Sequence, residues 1–437
     1  MQRCDEVLRK ALEILRAHPL CDRCLGRLFA SLGGGLTNEE RGRAIKTLLL
    51  MSAPRGQEDA ELLRILARSG FRPALDHARR VGLEVEEAPC YICEGALRRL
   101  HALALKAVSL LKAYDARTFV VGSMIPGHVL SREEELASKY GLEHAESIKR
   151  EVNREVSKVI QRLLGLKPEF ENPDILVLVD PFSASVRIEP RPLYIYGRYR
   201  KLRRDIPQNR WCCSSCWGSG CAECGWSGKR YPLSIEELIA CIVLRATGGD
   251  SAKLHGAGRE DVDARMLGEG RPFIIEIKNP RRRHIDLAEL EREINYRLRG
   301  YLEVYGLRLA APGEIERMKA LAEVHRKVYR ALVVVSEPTN EGELRRLEEQ
   351  LRGRVISQRT PRRVLHRRVD KIRHKKVYEV RTRLLEDRLF EAIISAQGGL
   401  YIKELVSGDA GRTSPSFAEI LGKPARCVKL DVLEVEG

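Results

Sequence analysis

Three acids crowd the stretch HGAGREDVDARMLGEG at residues 255–270. Glu260, Asp261 and Asp263 stand among Gly256, Gly258, Gly268 and Gly270, with Arg259 two residues before Asp261 and the apolar run FIIEI just downstream. Glycines permit tight backbone turns. An aspartate on a turn that leads into a strand can project into a cleft, where a neighbouring cation poises it as a nucleophile. GRED also suits a surface turn whose charges are merely solvated. Spacing alone leaves both readings open.

The second chemistry-bearing pattern is sulfur. Eight of the twelve cysteines fall into CxxC pairs, which in a reducing compartment points to metal binding and away from disulfides. Cys21 and Cys24 (CDRC) and Cys90 and Cys93 (CYIC) are separated by 65 residues, 25 through 89. Two such turns can each present two thiolates at Zn–S distances of roughly 2.3 Å, closing a tetrahedral shell. The alternative is a pair of unrelated turns, one of them simply buried. If a metal is held, it ties the first helix to the middle of the N-terminal half. Cys213, Cys216, Cys221 and Cys224 are tighter, C-x2-C-x4-C-x2-C with Gly218, Gly220 and Gly225 between them, and Cys212 leaves the first ligand ambiguous by one residue. That spacing is a strong zinc-knuckle signal. Four thiolates would leave no open position, so the expected zinc is structural at both places.

These residues must be positioned by a chain of 437 residues, long enough for two or three domains. Residues 1–112 are mostly helical in pattern, RTFVVGSMI is a strand, and SREEELASKYG opens a helix with Ser131 as N-cap and Glu134 three later. A helix over 144–164 and a strand pair, NPDILVLVD with SVRIEPRPLYIYG, complete an α/β RNA-binding unit ending near 205. The cysteine-rich insert 211–228 follows. Beyond it come a helix capped by Ser234 with Glu237 three later, strands FIIEI and RALVVVS, helices after 286 and 341, and a strand-rich tail. The whole is α+β. With 77 Lys plus Arg against 61 Asp plus Glu, the net charge is +16, a surplus that suits nucleic acid. From 359 to 376 nine basic residues face one Asp. The start is an amphipathic helix carrying acids, and no apolar run approaches the ~18 residues of a membrane span. A soluble, cytoplasmic protein without a membrane partner is expected.

Longer stretches carry a resemblance. GREDVDARMLG, ISQRTPRRVLHRRVDKIR (356–373) and YIKELVSGDAGRTSPSFAEILG (401–422) closely resemble the archaeal and eukaryotic tRNA pseudouridine synthase family ten (Pus10), which acts on the T-arm. GRED is also similar to the GRTD turn of TruA-type synthases, which ends in the catalytic aspartate. ESIKREVNRE, NPDILVLVD and YIYGRYRKLRRDIPQ resemble the family's THUMP-containing accessory domain, and the CxxC turns at 21 and 90 its zinc site.

The resemblance implies an accessory, zinc-bearing THUMP-type domain over 1–205 and a catalytic domain over 206–437. It implies that Asp261 acts on the ribose, as nucleophile or base, without a cofactor. Tyr329 and Tyr401 then contact the substrate, Lys403 pairs with Asp261, Ile402 and Leu430 wall the pocket, and Arg259 joins the substrate-binding set. The basic run at 359–376 looks like a thumb loop and the arginines of 198–210 like a forefinger loop. The implied partner is tRNA, held by its T-arm and acceptor end and modified at position 54, 55 or both. Two rivals remain. ATGGDSAK (246–253) faintly resembles the pyrophosphate loop of THUMP-bearing sulfur transferases, although it follows a helix instead of a strand, and a non-catalytic tRNA-binding protein would use the same basic surface.

Overall fold

A computed structural model describes residues 2–52 and 57–436. The chain divides into two compact units, Met1–Arg191 and Pro192–Gly437. The division falls ahead of residue 205 for a physical reason. Leu193–Lys201 has the alternating pattern of a strand, but it hydrogen-bonds into the sheet of the second unit and not with SVRIEP.

In the first unit, helices Gln2–Ala17, Asp22–Arg27, Asn38–Met51, Gln57–Arg68, Arg72–Arg80 and Leu100–Leu111 precede a four-stranded sheet. Its strands are β1 (Thr118–Ser123), β2 (Lys167–Pro168), β3 (Ile175–Asp180) and β4 (Ser185–Pro190), in the order β2-β1-β3-β4. β1 runs parallel to β2 and β3, and β3 and β4 form an antiparallel pair. The helix Ile148–Leu164 shows why the element forms. Ile148, Val152, Val156 and Ile160 recur every fourth residue and are fully buried, while Ser147 caps the N-terminus and Gly165 turns left-handed at the end. Gly26 and Gly42 let Asp22–Arg27 and Asn38–Met51 cross backbone to backbone. A Cβ on Gly26 would collide with the Asn38 carbonyl, and one on Gly42 with that of Asp22. Ser131 is not an N-cap. The helix starts at Gly127 after Pro126, and the Ser131 hydroxyl donates back to the Gly127 carbonyl at 3.2 Å, because Pro126 already sets the helical entry one turn earlier.

The second unit is built on one ten-stranded mixed sheet. Its strands are β5 (Leu193–Lys201), β6 (Ser251–Gly256), β7 (Arg265–Lys278), β8 (Leu302–Leu309), β9 (Arg326–Val335), β10 (Val355–Arg359), β11 (Ile372–Glu386), β12 (Leu389–Gln397), β13 (Thr413–Ser414) and β14 (Ala425–Val435). They run β13-β10-β11-β12-β9-β14-β7-β5-β8, with β6 on β7. Helices Ile235–Thr247, Leu287–Arg297 and Glu341–Leu351 bury their apolar faces in its core. Ser234 accepts from the Glu237 amide as the sequence predicts.

Two halves of this sheet meet where β7 runs parallel to β14 for only two residue pairs, Asp431↔Arg265 and Val432↔Met266. The GRED turn lies immediately before that junction. Among the described residues no helix is long and apolar enough to cross a membrane.

Candidate active site

The turn at 257–264 joins β6 to β7, and its three acids face different surroundings. Glu260 points inward and is buried. Both of its carboxylate oxygens accept from the Tyr199 hydroxyl at 3.0 Å, Arg271 Nε donates to Oε2 at 2.8 Å, and Lys201 Nζ lies 4.0 Å from Oε1. A buried charge needs such partners. Burial pushes the Tyr199 phenol well up, with Glu260 adding to the push, and burial lowers the Lys201 ammonium against the pull of Glu260. The same cations hold the backbone of the turn. Lys201 Nζ donates to the Asp261 and Val262 carbonyls at 3.2 and 3.0 Å, Arg271 Nη1 to Ala257 at 2.7 Å, and Gln208 Nε2 to Gly258 at 2.9 Å. Tyr199, Lys201 and Arg271 are thus a cradle beneath the turn.

Asp261 points the other way, its side chain 27% exposed. Arg363 Nη1 donates to Oδ1 at 2.9 Å, and Lys403 Nζ stands 3.6 Å from Oδ2. Lys403 is closer to Asp263, 2.7 Å from each oxygen. Asp263 falls below the usual carboxylate range, since the Lys403 hydrogen bond and charge outweigh the opposing effect of partial burial. Of these two cations Arg363, from the short helical turn Arg362–Arg367, is the nearer to Asp261. Arg363 is held from behind by Glu404, whose Oε1 accepts from Nε at 2.6 Å. Attraction to both acids raises its already high basicity against the cost of partial burial.

Of the other expected residues, Tyr329 and Tyr401 lie near this pair. Tyr329, on β9 opposite Val432 of β14, is buried. Loss of hydration lifts its phenol to about 12, with Arg271 pulling it down and Asp261 pushing it up. Tyr401 and Ile402 do not form a strand. Tyr401 caps the helix Ile402–Ser407, its backbone pinned to Gln358 by bonds of 2.8 and 3.0 Å, and its ring lies 5.8 Å from the Arg363 guanidinium and 5.9 Å from that of Arg373. Ile402 and Leu430 are buried in the sheet's core cluster. Arg259 lies on the exposed side of the turn.

The arginines of 198–204 are engaged within the protein. Arg198 donates to the Glu269, Gly270 and Val435 carbonyls. Arg203 sits over Tyr301 at 4.8 Å. Arg204 joins the Asp263 and Leu430 carbonyls to Asp431. Asp431 also receives Arg265 and Arg330 and is drawn down to about 2, burial opposing and the arginines prevailing. Composition missed Arg363 and Glu404, because one arginine within a basic run carries no mark of its own. It missed the cradle too, although the alternation of YIYGRYRK puts Tyr199 and Lys201 on one face of their strand.

Both cysteine sets converge. In each, the four sulfurs lie within 4.8 Å of one another. Cys24, Cys90 and Cys93 are buried, and the fully buried Arg27 lies against Cys24, placing positive charge beside a group that four thiolates and one Zn²⁺ would leave negative. In the knuckle, the amides of Gly220 and Gly228 donate to Cys216 and Cys224 sulfurs at 3.2 Å each. Cys213, not Cys212, completes the set. The donors fit a closed tetrahedral zinc. ATGGDSAK spans the end of the helix Ile235–Thr247 and the start of β6, so its glycines cap a helix and do not follow a strand.

Comparison with known sequences gives two family matches, "Pus10, C-terminal" over residues 194–436 and "Pus10 THUMP domain, archaeal" over 103–180. Proteins named tRNA pseudouridine synthase Pus10 align along nearly the whole chain. The Thermofilum pendens protein is 44% identical, covering 97% of this chain and 94% of its own. The Methanothrix thermoacetophila protein is 44% identical over 99% and 95%, and the Methanocaldococcus jannaschii protein 45% over 97% and 93%.

Proposed function

Because the chain belongs to the Pus10 family of tRNA pseudouridine synthases and so is an isomerase acting on tRNA, we propose that Asp261 is the carboxylate that attacks the ribose of the target uridine. The observation that carries this is the pairing of Asp261 with Arg363 at 2.9 Å on the exposed side of a turn whose other side is locked by Glu260. The locked side fixes the backbone, and the open side leaves a carboxylate for a substrate to meet.

The reaction breaks the C1′–N1 bond, turns the uracil and joins C1′ to C5. C5 loses a proton and N1 gains one, so no outside reactant and no cofactor enters. Attack at C1′ by Asp261 carries the sugar while the base rotates. The uridine must leave its stack first. Tyr329 then borders the base from β9, Tyr401 stands against it between Arg363 and Arg373, Ile402 and Leu430 form the apolar wall, and Lys403 positions Asp263 beside the nucleophile. Arg259, on the outer side of the turn, meets phosphate. The uridines are positions 54 and 55 of the T-arm, while the THUMP-bearing unit grips the acceptor end. Zinc in both four-cysteine sets shapes the fold and takes no part in the chemistry. The enzyme works in the cytoplasm.

Tritium release from C5-labelled uridine in an unmodified tRNA transcript, without ATP or S-adenosylmethionine, tests the reading. Release by the intact protein and none by Asp261→Ala is expected, with the modified positions mapped on the product. Full release by Asp261→Ala would overturn it.

A further inference from the structure

All three tryptophans of the chain lie in the cysteine knuckle: Trp211, Trp217 and Trp226. Trp211 belongs to the root, edge-on to Tyr231 at 5.6 Å with the Arg230 guanidinium 5.7 Å from its ring. The other two are bare, Trp217 84% and Trp226 77% exposed. Indole is the largest apolar surface a side chain offers, and two lie in water on one small module.

The backbone sharpens this. Trp217 and Trp226 sit at φ of 52° and 63°, in the left-handed region that bulky residues avoid. They occupy related places, Trp217 next after Cys216 and Trp226 two after Cys224, where the chain folds back so that Gly220 and Gly228 can donate to those sulfurs. Glycine or asparagine would satisfy the turns without strain. Burial does not offset that strain, since both rings are exposed.

The root ties the module to the catalytic turn. Gln208 donates to the Gly258 carbonyl and to the Tyr199 hydroxyl, both at 2.9 Å, and Asn209 is held by Glu236 and the Leu254 carbonyl. The knuckle closes above them through the Arg230 amide on the Trp211 carbonyl at 3.0 Å. The strut that holds the turn bearing Asp261 therefore also carries the two indoles.

We propose that Trp217 and Trp226 form a stacking tip for unpaired bases of the tRNA. The proposal rests on the catalytic reading of that turn. Unpaired bases fit better than an apolar partner, because the rings are set singly among serines and glycines, with Arg210 and Arg230 exposed at the root and a chain surplus of +16. Base stacking on aromatic rings is tolerant of sequence and needs such flanking cations for phosphate.

Because every tryptophan is in this module, intrinsic fluorescence reads the contact directly. The zinc-loaded full chain carrying Asp261→Ala is titrated with an unmodified tRNA transcript. Quenching on binding is expected, most of it lost in Trp217→Ala/Trp226→Ala, with Kd raised at least roughly 5- to 150-fold, the range of a single base stack. The Trp217→Phe/Trp226→Phe chain should recover part of the affinity, and unchanged zinc content in both would show that the knuckle still folds. A fully paired T-stem duplex without its loop should not quench. Unchanged emission at saturating tRNA, or wild-type Kd in the double alanine chain, would overturn the proposal. Quenching together with full tritium release by Asp261→Ala would leave the stacking tip standing and sink the catalytic reading instead.

Discussion

Neighbouring acids on the 260–263 turn have opposite fates. Glu260 is sealed among Tyr199, Arg271 and Lys201, while Asp261, one residue on, lies at the surface between Arg363 and Lys403. Within one turn, Glu260 anchors the backbone from beneath and Asp261 is left on the outer side. A carboxylate buried with cations around it costs desolvation and returns fixed geometry. A carboxylate at the surface costs little and stays reachable. If Asp261 is the carboxylate proposed above, the charge that secures the turn and the charge that performs the chemistry are separate side chains.

The largest effect should come from the outer acid. Asp261→Asn is expected to lower single-turnover pseudouridine formation roughly 10⁴-fold, about 5.4 kcal/mol of transition-state stabilisation, with the melting temperature held within about 2 °C, since Arg363 keeps Glu404 and Lys403 keeps Asp263 as partners. Glu260→Gln should do the reverse to stability. It strands Arg271 and Lys201 in the core with no countercharge, at about 3–5 kcal/mol, and lowers the melting transition of the C-terminal unit by about 10 °C. Calorimetry on the two variants side by side separates the roles. A stable Glu260→Gln chain, or an unstable Asp261→Asn chain, would erase the contrast.

Much of this arrangement could be read from residue types, and the remainder could not, for identifiable reasons. The fourfold spacing of Ile148, Val152, Val156 and Ile160 and the cap at Ser234 are local signals, and the helices form as they predict. LYIYG reads as the continuation of SVRIEPRP in a pair with NPDILVLVD, because pairing between distant strands leaves no local trace. It joins FIIEI, which moves the boundary of the units to 191. GRED announced an acidic turn, yet which acid faces inward depends on Tyr199 and Arg271, both supplied by other strands. Arg363 lay hidden for the opposite reason, as one arginine among many in a basic run.

Arginine and lysine on the outer side should also differ. Arg363 touches Asp261 directly and is braced by Glu404, whereas Lys403 gives its shortest bonds to Asp263. Removing a charge-assisted bond forfeits roughly 1.5–3 kcal/mol. Arg363→Gln should therefore slow the single-turnover rate about 10- to 100-fold, and Lys403→Gln less than about 10-fold. If Lys403→Gln proves the more damaging, Asp261 takes Lys403 as its working partner once tRNA is bound.

The smallest effect lies in acid, and it asks whether burial with cations, as at Glu260, always stabilises. Asp431 is also buried, but it is surrounded by Arg204, Arg265 and Arg330 and titrates at about 2 instead of its ordinary 3.8. A carboxyl whose folded value is depressed contributes stability that is fully present above the unfolded value and disappears as pH falls through the folded one. Asp431→Asn should thus cost about 1–2 kcal/mol at neutral pH, a figure reduced for solvent screening of its arginines. The gap to the parent chain should narrow between about pH 4 and 2 and vanish below it, as measured by urea unfolding across that range. A gap that stays constant with pH would mean that Asp431 acts through shape and hydrogen bonding alone, and that only the Glu260 cradle draws stability from buried charge.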